Sequence, residues 1–181
     1  MSSRAAILIH ELLVLACTAG FAAYDLHTRT VPRPALLLFT PIAALAPFLQ
    51  ALAGPGIQTV SHRISGAPAS SAGIFLSAFL PALLASLAGA AAGFLILLAA
   101  ALISADGTGV GGGDIKLAAV LGFSYGVSRM LFVLLTASAL ALAASFITAR
   151  KNKRKMHGNL SLPFVPFLVA GSLAAFLVTV L

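Results

Sequence analysis

Residues 72–104 contain no charged side chain, and that uninterrupted apolar run limits the chain to very few kinds of fold. About 20 apolar residues cross the hydrocarbon layer as a helix, which satisfies its own backbone hydrogen bonds where no water can. The run is longer than one perpendicular helix needs, so it reads as a single crossing that is tilted or leads in from the interface. The rest of the chain has the same character: 60% of its 181 residues are apolar and 8% are charged, with a mean hydropathy of +1.08. A soluble core cannot absorb that much apolar surface. No block recurs as a repeat, and residues 54–71 form the one long polar interruption. The expectation is one all-α, polytopic membrane domain over residues 1–181.

Six segments are expected, over residues 5–24, 35–53, 72–104, 114–128, 130–149 and 160–181. Pro32 and Pro34 suit a helix start. The fourth segment gives only about 21 Å of helix against a hydrocarbon core of about 30 Å, so it either dips back or thins the bilayer.

The formal net charge of +7 does not point to nucleic acid, because the eleven Lys and Arg residues are spread between apolar spans. They set orientation instead. With six crossings, Arg29, Arg33, Lys116, Arg150, Lys151, Lys153, Arg154 and Lys155 share one side and Arg4, Arg63 and Arg129 the other. The richer side is cytoplasmic, giving a multi-pass protein of the inner, cytoplasmic membrane. Val14-Leu15-Ala16-Cys17 loosely matches a lipoprotein processing site. His10 and Glu11 interrupt its hydrophobic region, however, and the first segment is read as retained. Cys17 is the one cysteine, which excludes an internal disulfide and a cysteine metal cluster.

Only four carboxylate side chains occur, and an ionisable group beside a membrane span is costly to place. The same topology puts Asp25 and Asp114 together on the cytoplasmic face. Two carboxyl groups that approach closely repel, so one holds its proton and the pair supplies both an acid and a base. The base takes a proton from water while the acid protonates a peptide carbonyl, which is aspartic-protease chemistry. Taken singly, Asp25 also reads as a helix cap or a partner of Arg29, and Asp114 as an N-cap. Glu11 lies about 21 Å from Asp25 along a helix and belongs to the opposite face. Asp106 reads as a solvated loop residue.

Other chemistries appear only in fragments. His10-Glu11 begins a zinc-protease motif, but Val14 stands where the second histidine is needed. Residues 107–112 fit a dinucleotide fingerprint literally, yet they follow a membrane span and not a strand. No serine is spaced with a histidine base. Neither a metal nor an organic cofactor is expected.

Asp25 with Arg29 and Val31-Pro32, followed by Gly111-Gly112-Gly113-Asp114-Ile115-Lys116-Leu117, resembles the type IV prepilin peptidase family of membrane aspartic proteases. The resemblance covers nearly the whole chain, including a final Pro-rich segment at Pro163-Phe164-Val165-Pro166-Phe167. It implies that Asp25 and Asp114 are the catalytic aspartates, with Gly111, Gly113 and Lys116 supporting the second motif. Arg33 departs from the family's usual asparagine, and the methyltransferase segment with paired cysteines is absent from this sequence, so N-methylation is not implied. Presenilin-like proteases share the Tyr-Asp and Gly-x-Gly-Asp pattern, which Tyr24-Asp25 fits literally, but those chains resemble larger nine-helix bundles.

The resemblance implies an endopeptidase that removes short, basic leaders from prepilin or pseudopilin substrates at the cytoplasmic face of the bilayer. The competing reading is a small proton-coupled transporter or channel component using Glu11 and the aspartates as a relay. A third is a catalytically silent scaffold, against which the intact aspartate pair argues. The sequence carries no signal for an oligomeric state.

Overall fold

The computed structural model describes residues 3–28, 31–53, 71–103, 111–151 and 164–180, which are helical almost throughout and contain no strand. Among the described residues six helices follow one another: α1 (Ser3–Thr28), α2 (Arg33–Ala44), α3 (Ala46–Ala53), α4 (Ser71–Ile103), α5 (Gly112–Lys151) and α6 (Val165–Val180). The all-helical expectation holds. The helices are apolar on every side, as lipid-facing helices must be: Leu37, Leu38, Ile103 and Leu142 are exposed, while Leu117, Leu121, Met130 and Leu168 form the protein core. Among the described residues four helical stretches are long and apolar enough to cross a membrane, and the shorter stretch Val165–Thr179 is apolar too.

Proline shapes the second crossing. Pro32 is extended, with φ −69° and ψ 123°, and Pro34 occupies the first turn of α2, where a missing N–H costs nothing. At Leu45 the helix tightens into a turn, its N–H bonding Ile42 O at 3.3 Å. Pro47, just beyond, has no N–H to continue the ladder. α2 and α3 together make one bent span, Arg33–Leu52. α4 is a single helix of 33 residues, as expected, about 50 Å long and so able to tilt or project.

α5 joins the expected fourth and fifth segments, and the break between them lies at Gly126, not at residues 128–130 as the sequence suggested. Gly126 has φ 73° and ψ 176°, a conformation that side chains with a Cβ avoid. The chain reverses there. Gly89 of α4 faces Gly122 and Gly126, and Gly93, one turn further on, faces Ala118, so the limb 112–125 runs antiparallel to α4. A straight continuation would carry Met130 a turn past Gly126 and away from Gly93. Its terminal methyl instead lies against Gly93. The limb 127–151 therefore runs back along α4 and packs on α6, where Gly171 meets Val133 and Thr136.

Close backbone contact holds the first limb. A Cβ on Gly89 would stand 2.2 Å from the carbonyl oxygen of Gly122, and one on Gly122 equally close to that of Gly89. Helices in lipid approach through such small residues because van der Waals contact, not water exclusion, drives their packing. The limb that begins at Asp114 is thereby fixed against α4.

Candidate active site

Asp25 closes a buried stripe on α1. Val14, Thr18, Phe21 and Ala22 precede it at helical spacing on the face turned into the bundle, and Asp25 itself is 5% exposed. Asp114 enters from the other direction, in the first turn of α5. The carbonyl of Gly111 accepts the N–H of Asp114 at 3.0 Å and that of Ile115 at 3.3 Å. The half-buried carboxylate of Asp114 folds back over Gly111 and accepts a hydrogen bond from its backbone. An acid at the third helical position that reaches back to the N-cap is half of a capping box. The helix dipole adds to the attraction there. Asp114 therefore holds its own helix start as well as offering a carboxyl group.

The two carboxyl groups lie within electrostatic reach of one another. Val31 helps bring them together. Its side chain occupies the space beside Gly113, where a Cβ would come within 2.8 Å of Val31 Cβ and 3.1 Å of Cγ2. The end of the α1–α2 connection thus rests directly on the turn that carries Asp114. Any side chain at Gly113 would hold the two apart.

The remaining motif residues divide. Gly111 is exposed, and a Cβ there would meet only the Asp114 carboxylate, at an ordinary 3.4 Å. Lys116 points outward, exposed on the next turn, as is Arg33 at the start of α2. Arg29, Asp106, residues 107–110 and Pro163 lie outside the described residues. In the final Pro-rich segment, the carbonyl of Phe164 accepts from Phe167 and Leu168, and Val165 and Leu168 are fully buried.

At the opposite end of α1, Arg129 donates a hydrogen bond to Glu11, which is 7% exposed. Tyr125, Ala175 and Phe176 surround the pair. Sequence reasoning placed Glu11 away from the aspartates but missed this partner. The signal was present: one acid and one base, both assigned to the same outer end. His10 is used locally, its Nε2 at 2.9 Å from Ile42 O. Among the described residues no three His, Cys, Asp or Glu side chains converge as metal ligands would.

The sequence pattern of the type IV leader peptidase family matches residues 12–146, a stretch containing both aspartates and the Gly126 reversal. The chain belongs to the type IV leader peptidase family. It is similar to a prepilin leader peptidase/N-methyltransferase of Bacillus subtilis (strain 168), with 34% identity over 176 residues that make up 96% of this chain and 54% of that protein. The chain thus spans about half the length of this leader peptidase relative. No solved structure matches it.

Proposed function

We propose that this chain is a single-domain membrane aspartic endopeptidase that removes leader peptides from prepilin-like or pseudopilin-like proteins, with Asp25 and Asp114 activating water. One observation carries the reading. In a chain of the leader peptidase family, Asp25 is buried at the end of α1, and the turn that starts α5 and carries Asp114 rests through Gly113 on Val31, at the end of the connection that follows Asp25. Such a pair works with one proton between its members. The ionised carboxylate takes a proton from water, whose oxygen attacks the peptide carbon, while the protonated carboxyl gives its proton to the carbonyl oxygen. The C–N bond of the tetrahedral intermediate then breaks, and the leaving amine takes up the proton that came from water. No resident metal or organic cofactor enters these steps.

The face is the cytoplasmic one. Arg33, Lys116 and Arg150 are exposed at the end of the bundle that carries the pair, as the positive-inside rule asks of the cytoplasmic side of the inner membrane. A proton relay through Glu11 fits poorly, since that residue is committed to Arg129 about 21 Å along α1 from Asp25.

The test is leader removal from a prepilin in membranes carrying Asp25→Asn or Asp114→Asn. Each change keeps the shape and removes an acid–base partner, so each lowers the rate by about 10³-fold or more while the protein stays inserted. Near wild-type cleavage by either variant sinks the reading.

A further inference from the structure

An apolar groove of about 290 Å³ runs along the seam between α1 and α2. Phe21 and Phe39 form its floor, both buried, with ring centroids 5.7 Å apart in an edge-to-face contact. Tyr24 and Leu38 form its rims, 45% and 74% exposed. Between them, nothing lies within 4 Å of the place a Cβ on Gly20 would take. Any other residue at that position would narrow the opening.

The groove is continuous with the carboxyl pair. Tyr24 and Pro32, at one end, are the sequence neighbours of Asp25 and of Val31, and Cys17 and Ile42 mark the other end. Its long axis therefore follows the helices away from the pair and into the apolar zone. Because the groove opens beside the pair at Tyr24 and Pro32, a substrate chain that enters it from the scissile bond runs into the membrane. There its backbone must be helical.

We infer that this groove seats the apolar helical segment of the substrate that follows the scissile bond, and that its length measures where the bond falls. The inference rests on the leader-peptidase reading. Cys17 lies eight residues before Asp25, about 12 Å along α1. A helical substrate segment lying in the groove brings the residue about eight positions past the scissile bond next to Cys17.

Cys17 is the chain's one cysteine, so it reports this contact without engineering the groove. Single cysteines are scanned through the membrane segment of a prepilin otherwise free of them. That substrate is held uncleaved by the Asp114→Asn enzyme in membranes and then oxidised. Disulfides form only where Cα atoms come within about 4.4–6.8 Å, so cross-linking peaks within one turn of the eighth position and vanishes with Cys17→Ala. A flat or absent profile, with the wild-type enzyme still cleaving the same substrates, overturns the groove inference and leaves the seam to lipid. Failure of the wild-type enzyme to cleave sinks the leader-peptidase reading instead. As a second measurement, Gly20→Phe raises KM for the intact substrate by about tenfold and changes kcat much less, the pattern of lost ground-state binding. An unchanged KM together with an undiminished Cys17 cross-link overturns the inference as well.

Discussion

Replacing Gly113 with alanine separates the proposed catalytic aspartates by a distance that follows from one contact. The new Cβ would stand 2.8 Å from Val31 Cβ, whereas carbon atoms in good contact sit about 3.5–4.0 Å apart. The turn must open by about 0.7–1.2 Å, and rotation of Val31 offers no relief because the closest atom is its own Cβ. Misplacing reacting groups by about 1 Å costs about 10²-fold, or about 2.7 kcal/mol of transition-state stabilisation. Gly113→Ala therefore lowers kcat by about 10²-fold in a membrane-based prepilin cleavage assay. Gly111→Ala, whose Cβ meets only an ordinary contact at 3.4 Å, stays near wild type. The second-site pattern is specific. Val31→Gly in the Gly113→Ala background removes the clashing atom and restores most of the rate, while Val31→Ala keeps that atom and does not. Full activity of Gly113→Ala, or equal rescue by both Val31 substitutions, refutes the spacing argument.

The ion pair at the far end makes an asymmetric prediction. Glu11 is buried and the Arg129 side chain is 40% exposed, so Arg129→Met, which strands a buried carboxylate, costs about 3–5 kcal/mol and Glu11→Gln less. Thermal unfolding in detergent ranks the two, and the Glu11→Leu/Arg129→Met double variant regains most of the loss. Topology has its own test. With Cys17 replaced, a cysteine at His62 reacts with an impermeant external reagent in sealed cells and one at Lys153 does not. The opposite labelling would move Asp25 and Asp114 to the outer face.

The crossings and the shared end of Asp25 and Asp114 were legible because they depend on one-dimensional properties: apolar length, and the spread of basic residues between spans. The reversal within α5 was misplaced for a related reason. Residues 114–149 contain no proline, and Ser128-Arg129 is a conspicuous polar interruption, so polarity drew the boundary there. The turn instead follows backbone conformation at Gly126, and Arg129 points inward to a residue 118 positions away. The seat of Val31 on Gly113 was equally hidden. A glycine in a Gly-rich run reads as flexibility, whereas its role here is to leave room for one particular side chain, and that requires coordinates.

The reversal at Gly126 also bears on how the chain enters the bilayer. The limb from Asp114 to Tyr125 is too short to be recognised as a stable crossing by itself, and the next turn carries a guanidinium. For an insertion machinery, the 40 residues of α5 are thus one object, a hairpin whose tip must traverse the lipid with its charge. In the folded bundle Glu11 of α1 lies against that tip and pairs with its guanidinium. α1 thus supplies the carboxylate that offsets the charge at the tip of α5, and a change at Glu11 bears on how that hairpin sits in the bundle as well as on α1 itself.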